Sequence, residues 1–554
     1  MELRKLLLIS FAFSGMAALI YEIVWIRPIQ FVLGSTVYTV SIILAAFMGG
    51  LALGSWLISK KIHKIGNLPK TYALMELGIG LYGVLLISIF NLLPKAYRII
   101  YELSGNFYLF EFVQFLIIFL IILIPTTLMG ATFPIIAAFY TKDNIGKSVG
   151  EIYSINTLGA IIGSLLVGFF LIPTLGIKMT IIFAALINIF IAFIILSKIS
   201  EENIKKMALI SMILFLIFSI FGSYSINALY TGGIKRMDFS EDLLAQAEFL
   251  YYKEGLHATV AVTKDPLEGA RVLLINGYGQ GSNSFIDLRV NILLASLPLL
   301  YNPNPKDTLL IGLGTGTTAG YLSQSTEIKT IEIEPAILEA SRIFSDLNLN
   351  VLDNPNHSII IDDARNYLLK DDERYDLIVS EPTNTWQSFS NSLFSKEFFS
   401  IINEHLSEEG LYVQWIPIYE MNKEDFRSLY RTFDSEFPYV IAFVNVNKNE
   451  NLSYKFETTE ILLIGSKKEL NNNMMENFDS LPVKTKETLK LIKLGSPEKI
   501  ENLLLFTEKN MEDYGENSKL ITDDNMALEF SASKNILNQN PGEVMNDIEQ
   551  FISR

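Results

Sequence analysis

The sequence predicts a multi-pass α-helical membrane domain, followed by an α/β doubly wound domain with a small β-domain before it. Two observations support this prediction. Residues 1–225 are apolar with few charges and contain segments long enough to cross a bilayer. From residue 306 onward, apolar strands alternate with helical segments, and a glycine-rich turn follows the first strand. Such alternation is typical of a parallel sheet with helices on both faces.

Composition excludes several kinds of site. The chain has 554 residues, a mean hydropathy of +0.33 and no cysteine, so disulfides and thiolate sites are excluded. Its four histidines have no metal-binding spacing, and no metal is predicted. The net charge of −15 argues against nucleic acid as a partner and agrees with a cationic ligand, although acidic soluble domains are common.

The predicted domains are a transmembrane domain (1–225), a linker with the small β-domain (226–300) and a Rossmann-like domain (301–554). The first apolar segment has no small-residue cleavage site, so it is predicted to be a retained helix. About seven helices are expected, or eight if Pro125 or Pro134 breaks the fourth. The apolar segments run over 6–26, 37–59, 71–95, 108–141, 149–173, 176–197 and 206–225.

Two segments of the helical half resemble each other, GLALGSWL (Gly50–Leu57) and GAIIGSLL (Gly159–Leu166). Both have small residues four positions apart, which favours close helix packing. This similarity indicates either an internal repeat, as in transporter folds, or coincidence among glycine-rich apolar helices.

Ionisable residues also lie within or beside the apolar segments. A charge at the bilayer centre costs about 2.5–3.5 kcal/mol on insertion scales, so we expect these side chains to pair or to face a cavity. They form either a polar path or docking site for a cationic substrate, or a set of interfacial and packing residues. The residues are Glu22, Arg27, Glu76, Glu111 and Glu151.

Strand patterns organise the soluble half. LHATVAVTKD (Leu256–Asp265) and ARVLLINGYGQG (Ala270–Gly281) predict short strands around turns, and hence the small β-domain. A further strand is predicted in the tail, in EILLIGS (Glu460–Ser466). The strands predicted for the doubly wound sheet are 308–312, 329–333, 358–361, 375–380 and 410–416, with helices at Pro335–Asp346 and Lys396–Leu406 between them.

The turn after the first of these strands predicts a nucleotide site. Gly312, Gly314 and Gly316 form a GxGxG pattern that lets the backbone approach a ligand closely. Glu332 ends the second strand, where an acid can bind both hydroxyls of a ribose. The spacing suits an adenosyl group of the S-adenosylmethionine type better than a dinucleotide, whereas a plain tight turn is the alternative.

Two further strand ends carry acids. Asp362 and Asp363 follow the third strand, and Glu381 follows the fourth, with Asn384 just beyond. One such acid is explained by helix capping. Three acidic strand ends at one edge of a parallel sheet predict instead a ligand-binding crevice.

These motifs resemble the spermidine synthase (polyamine aminopropyltransferase) family over residues 245–420. They are LLIGLGTGTTAGYL, IEIEP, IDDARNYL and YDLIVSEPTN, with NSLFSKEFF and TDDNMALEF later. The apolar half resembles the membrane region of the multi-pass members, often described as fused transporter/spermidine synthase proteins. The resemblance implies transfer of an aminopropyl group from decarboxylated S-adenosylmethionine to an amine such as putrescine, in polyamine biosynthesis, with no tightly bound cofactor.

The resemblance also implies roles for individual residues. Glu332 matches the family's ribose-binding acid. Asp363 matches the adenine contact, and Ala364 stands where the family has a glycine. Glu381 matches the aspartate that takes the proton from the attacking amine, and is predicted to be the catalytic base.

Two positions depart from the family. Thr315 replaces the turn aspartate that binds the donor's ammonium, and Asn384 replaces an aspartate that holds the acceptor amine. Each lost charged hydrogen bond is worth roughly 1.5–3 kcal/mol. Two other functions therefore remain open. One is an S-adenosylmethionine-dependent methyltransferase, and the other is a polyamine transporter with a ligand-sensing soluble domain.

The predicted partners are a small-molecule amine and the lipid bilayer, and a homodimer is also expected. Lysines in the loops place the soluble half outside with seven helices and inside with eight. Because adenosyl donors are cytosolic, the soluble domain of this cell-membrane protein is predicted to face the cytoplasm.

Overall fold

The computed structural model divides into two compact units, Met1–Ala245 and Gln246–Arg554. They are called here the helical unit and the soluble unit. The structure describes residues 3–103, 106–141, 144–199, 202–221, 247–265, 269–388, 390–446, 459–470, 473–535 and 542–553. Most of the predicted linker, 226–246, therefore lies outside the described residues.

The described part of the helical unit consists of long apolar helices. Asparagine and threonine side chains cap several of their N-termini, as in α2, where the Thr36 hydroxyl accepts the N–H of Thr39. The helices are α1 (Leu3–Leu33), α2 (Val37–Ser59), α3 (Leu68–Phe90), α4 (Leu93–Leu103), α5 (Phe107–Tyr140), α6 (Ile145–Leu166), α7 (Ile172–Lys198) and α8 (Glu202–Phe221).

Five helical stretches in the described residues are long and apolar enough to cross a membrane. The fourth stretch is α5, one helix that contains both Pro125 and Pro134 without ending at either. The fifth covers α6 and α7, which a short π-helical turn (Val167–Leu171) joins, with a kink at Gly176 where φ is 78°. The expected total of seven to eight helices stays a prediction.

The two glycine-containing segments make equivalent contacts. Gly54 of α2 packs against the backbone of Thr127 in α5, and Gly159 of α6 packs against the backbone of Ala12 in α1. A Cβ at either glycine would collide with a carbonyl oxygen of the facing helix. The small residues therefore bring two helix pairs, α2 with α5 and α1 with α6, into backbone contact.

The soluble unit begins with the predicted small β-domain. Its antiparallel sheet has the order β1-β2-β3-β4. The strands are β1 (Glu248–Glu254), β2 (Thr259–Lys264), β3 (Arg271–Ile275) and β4 (Tyr278–Ser282). The last three match the predicted strand segments, and β1 was not predicted.

An eight-stranded sheet follows, with the order β12-β10-β11-β9-β8-β5-β6-β7. The strands β5 to β9 are parallel, whereas β10, β11 and β12 join with antiparallel pairing. The predicted parallel arrangement is therefore confirmed for β5 to β9, and the strands of the tail add an antiparallel edge that was not predicted. The strands are β5 (Asp307–Ile311), β6 (Glu327–Glu332), β7 (His357–Ile361), β8 (Tyr375–Ser380), β9 (Leu406–Ile416), β10 (Tyr439–Val444), β11 (Ile461–Ser466) and β12 (Leu504–Thr507).

Helices cover both faces of this sheet. Along β5 the buried side chains alternate, because Leu310 joins one apolar core while Leu309 and Ile311 join the other. Two-sided burial of this kind confirms the doubly wound arrangement. The helices are α9 (Phe285–Tyr301), α10 (Thr317–Leu322), α11 (Ala336–Ser341), α12 (Ala364–Leu368), α13 (Lys396–His405), α14 (Lys423–Asp434), α15 (Met474–Phe478), α16 (Val483–Leu491), α17 (Pro497–Glu501), α18 (Ala527–Asn535) and α19 (Glu543–Ile552).

Candidate active site

A cavity of about 780 Å³ lies at the carboxyl ends of the parallel strands. The strand order reverses at β5, because β6 and β7 lie on one side of it and β8 and β9 on the other. Open α/β sheets bind ligands at such a switch point. Residues of β3 and β4 form another part of the cavity wall, so the small β-sheet helps to enclose the space.

The glycine turn forms one wall of this cavity. Gly312 has φ 90°, and a Cβ there would lie 2.7 Å from the Glu381 carbonyl oxygen. Gly314 has φ 54° and lines the cavity with open space beside it. Both conformations are strained for other residues, so the turn requires glycine for its backbone shape as well as for ligand access.

The Glu332 carboxylate, at the end of β6, is held by backbone groups. Its Oε2 accepts the N–H of Leu313 at 3.0 Å, and its Oε1 accepts the N–H of Glu334 at 2.9 Å. Burial raises the pKa of this carboxyl, and the two backbone hydrogen bonds act against that rise. The carboxylate therefore has a fixed orientation along the cavity wall. Each oxygen retains a lone pair for a hydroxyl.

Asp362, Asp363 and Ala364 also line the cavity, at the end of β7. Asp363 caps α12, because its Oδ1 accepts the N–H of Asn366 at 2.8 Å. Asp362 Oδ1 accepts the N–H of Asp363 at 2.8 Å. The helix-capping interpretation of these acids is thus correct for one oxygen of Asp363, and the other oxygen is available to a ligand.

Glu381 follows β8, and its carboxylate faces the cavity. The Thr318 hydroxyl donates to its Oε2 at 3.0 Å and lies 3.2 Å from Asn291 Oδ1. Burial raises the pKa of Glu381 to about 7, the Thr318 hydrogen bond opposes this, and the charge of nearby Asp287 adds to it. At neutral pH this carboxyl can therefore both accept and release a proton.

Asp287 was not predicted as a site residue. It lines the cavity from the first turn of α9, where its Oδ2 accepts the Ser282 hydroxyl at 2.6 Å. Burial raises its pKa too, and hydrogen bonds from Ser282 and Ser284 oppose that rise. In the sequence Asp287 follows Ser284 by three positions, which is the pattern of a helix cap and conceals any other role.

Asn384 lines the cavity with an acid behind it. Its Nδ2 donates to Glu420 Oε1 at 2.7 Å, and both residues are buried. Glu420 comes shortly after β9, so it too lies at the carboxyl edge of the sheet. The negative charge beside Asn384 therefore comes from Glu420. An aspartate at 384 would place two carboxylates in contact.

A further acid, Glu460, completes this part of the wall. Its Oε2 accepts Asn445 Nδ2 at 2.9 Å, just before β11 begins. Tyr419 also lines the cavity. Burial raises the pKa of its hydroxyl, and the charges of Glu420, Glu460 and Asp287 raise it further. The loss of aspartates at 315 and 384 thus does not leave the cavity short of negative charge.

Two predicted binding residues, Thr315 and Gly316, belong to the turn without lining the cavity. The Thr315 hydroxyl lies 2.8 Å from that of Thr317, and Thr315 is 4% exposed. Gly316 has φ 79° and faces Asn348. The structure brings together the other predicted residues, namely Gly312, Gly314, Glu332, Asp362, Asp363, Ala364, Glu381 and Asn384.

Comparison with known proteins identifies a domain within the soluble unit. Residues 288–459 match the model of the spermine/spermidine synthase domain. Polyamine aminopropyltransferase 2 of Aquifex aeolicus is 21% identical over 490 residues, which is 86% of this chain and 90% of that protein. Polyamine aminopropyltransferase of Leptospira interrogans is 24% identical over 420 residues, 74% of this chain and 78% of that protein.

Among solved structures, spermidine synthase from Thermotoga maritima has a TM-score of 0.39 and 18% identity. The match covers 87% of that protein's chain and 48% of this chain. A spermidine synthase in complex with the transition-state analogue AdoDATO has a TM-score of 0.38 and 19% identity, with the same coverage. The family model covers the strands β5 to β10 and the acids from Glu332 to Glu420, so this part of the chain is a spermine/spermidine synthase domain, and it follows a unit of long apolar helices.

Proposed function

We propose that the soluble unit transfers an aminopropyl group from decarboxylated S-adenosylmethionine to an amine. The observation that supports this most directly is the position of Glu381, a carboxyl whose pKa burial raises to about 7, on the wall of an acidic cavity. A base with a pKa near the working pH is effective in proton transfer. The Aquifex and Leptospira relatives carry the corresponding name, which supports the reaction class.

The cavity has two ends, which we assign different ligands. The nucleoside end comprises Gly312, Gly314, Glu332, Asp362 and Asp363, beyond strands β5, β6 and β7. There the Glu332 carboxylate would accept both ribose hydroxyls. Asp363, through the oxygen not used in capping, would contact the adenine.

The amine end comprises Asp287, Glu381, Asn384 and Glu460, with Glu420 behind Asn384. Its acids suit cationic amines. Gly281 lies beside the Thr315 methyl, and the adjacent Ser282 binds Asp287. Asp287 is thus close to the turn and would take over binding of the donor's ammonium there, while Asn384 and Glu420 would hold the acceptor.

The reaction needs one base. The acceptor's ammonium gives a proton to the Glu381 carboxylate, and the freed nitrogen attacks the aminopropyl carbon bonded to the sulfonium sulfur. The N–C bond forms while the C–S bond breaks, and its electron pair goes to sulfur, which leaves as neutral methylthioadenosine. Glu381 then releases the proton to solvent. Thr318, which donates to Oε2, orients the carboxylate.

Full-length protein in detergent, given either decarboxylated or intact S-adenosylmethionine with a panel of diamines and polyamines, tests this proposal. We expect methylthioadenosine and an aminopropylated amine from the decarboxylated donor. Glu381→Gln should be slowed about 10²–10⁴-fold, and Glu409→Gln, at a side chain 80% exposed, should be unchanged. Formation of S-adenosylhomocysteine alone would show a methyltransferase. The absence of either product with every amine would contradict transfer altogether.

A further inference from the structure

Glu76 is a carboxylate buried inside the helical unit. It lies on α3, an apolar helix long enough to cross a bilayer, and is 0% exposed. A charged side chain in such surroundings is costly and therefore requires a partner or a function. Among the described residues, no lysine, arginine or histidine forms an ion pair with Glu76.

The groups that hold Glu76 are neutral, and besides Tyr72 of the same helix they come from two other helices. Ser14 of α1 donates its hydroxyl to Oε1 at 2.5 Å, and Asn188 of α7 donates its Nδ2 to Oε2 at 2.7 Å. Hydrogen bonds donated to both oxygens favour the ionised carboxylate, whereas burial favours the neutral acid. The site is thus constructed to hold either protonation state.

Unpartnered polar atoms extend from this carboxyl along α1. Within the described part of the chain, Asn188 Oδ1, the Tyr21 hydroxyl and Trp25 Nε1 have no hydrogen-bond partner, although each residue is at most 1% exposed. Ser14, Tyr21 and Trp25 share one face of α1, seven and four positions apart. Buried polar atoms are normally paired, so this row is suited to transient partners.

Close packing limits what can bind. Gly80 and Gly83 lie on the same face of α3 as Glu76. A Cβ at Gly80 would lie 2.9 Å from the Ala185 carbonyl oxygen of α7, and one at Gly83 would lie 2.6 Å from the Tyr21 hydroxyl. The space beside Glu76 is accordingly filled by backbone and ring atoms, which favours a proton over an amine or hydrated ion.

We propose that Glu76 is an exchangeable proton-binding site of the helical unit, with the hydroxyl groups of Ser14 and Tyr21 on the face of α1 that lies toward it. Proton exchange at this carboxyl does not depend on the transferase chemistry of the soluble unit. In the described residues, the titratable groups that face Glu76 are Tyr21 of α1 and Tyr72 of α3.

Dicyclohexylcarbodiimide, which modifies protonated carboxyls in apolar surroundings, tests the proposal on the full chain in lipid nanodiscs. Modification of the peptide containing Glu76 would be measured by mass spectrometry between pH 5.5 and 8.5. We expect modification to fall with rising pH, by up to about tenfold per unit above the midpoint. Glu76→Gln should abolish modification of this peptide, and Glu151→Gln, at a side chain 42% exposed, should leave it unchanged.

Asn188→Leu provides a second measurement if Glu76→Gln does not fold. Loss of one donor to the ionised form should shift the midpoint of modification to higher pH, and Ser14→Ala should shift it in the same direction. Modification that is constant across the pH range would overturn the proposal, because it would show a carboxyl in one fixed state. If the bulky reagent does not reach this packed site, the infrared absorption of the protonated carboxyl, identified by its loss in Glu76→Gln, provides the readout, and an absorption that does not change with pH would equally overturn the proposal.

Discussion

The two ends of the cavity hold their acids by different means. At the nucleoside end, Glu332 is fixed by the N–H groups of Leu313 and Glu334, which no side-chain substitution removes. At the amine end, Glu381 and Asn384 are oriented by the side chains of Thr318 and Glu420. The nucleoside end is therefore preorganised by the backbone conformation. The amine end depends on a network that single substitutions can alter, and under the proposed function it is where we expect amine specificity to be set.

The largest effect is expected at Glu381, where a substitution can separate catalysis from nucleoside binding. Glu381→Gln removes the base but keeps the side chain's shape, so we expect turnover to fall about 10²–10⁴-fold. Methylthioadenosine binding should change by less than about 1 kcal/mol, since the nucleoside end is untouched. Product release assays and calorimetry measure the two quantities. A parallel loss of nucleoside binding would contradict the division into two ends.

Glu332→Gln tests the opposite end. The amide would present an N–H₂ group to one of the two backbone N–H donors and to one ribose hydroxyl. We expect methylthioadenosine to bind about 10- to 150-fold more weakly, the worth of a charged hydrogen bond. Calorimetry provides the measurement, and Glu420→Gln is the matched control that should bind the nucleoside normally. Unchanged affinity would remove Glu332 from the ribose site.

Glu420→Gln is expected to act on the amine alone. Loss of the charge behind Asn384 should raise the KM of the acceptor about 10- to 30-fold and leave the donor KM unchanged. The double variant Asn384→Asp/Glu420→Gln places the carboxylate at position 384 instead of position 420. It should therefore recover part of the loss. Steady-state kinetics with the acceptor varied would check this, and a change in donor KM would count against the assignment.

The smallest effect concerns pH. The pKa of Glu381 is raised to about 7 in the folded protein, so the ionised base is present above pH 7 and is lost as the pH falls. We expect kcat/KM for the amine to decrease about tenfold between pH 8 and pH 6. The residual activity of Glu381→Gln should lack this step. A step of the same size in that variant would assign the titration to another group.

The same contrast explains how far the sequence could be interpreted. Glu332, Asp363 and Glu381 each follow an apolar strand, and the rule for parallel sheets brings them together without knowledge of the fold. Asp287 was missed because its position three residues after Ser284 is also that of a helix cap. Glu420 follows β9, and the same strand-end rule, applied to the fifth strand, would have found it.

Other features depend on packing that no local pattern encodes. Glu460 reaches the cavity only because β11 runs antiparallel to β9, an edge that alternating strands and helices did not predict. Likewise, Pro125 and Pro134 stay inside one helix, although prolines often break helices. Neighbouring helices can satisfy the freed carbonyl groups in an apolar unit, so the sequence alone does not decide between one helix and two.

The glycine contacts of the helical unit have a mechanical consequence. Where Gly54 meets Thr127, and Gly159 meets Ala12, backbone touches backbone, with no side chain that could change rotamer to let the helices slide. The pairs α2–α5 and α1–α6 are therefore expected to move as rigid units. Any rearrangement of the helical unit would then take place between these helix pairs. The hydrogen bonds from Ser14 and Asn188 hold Glu76 where α1, α3 and α7 meet. A pivot there would change the hydrogen bonds to this one carboxyl before it changed anything else.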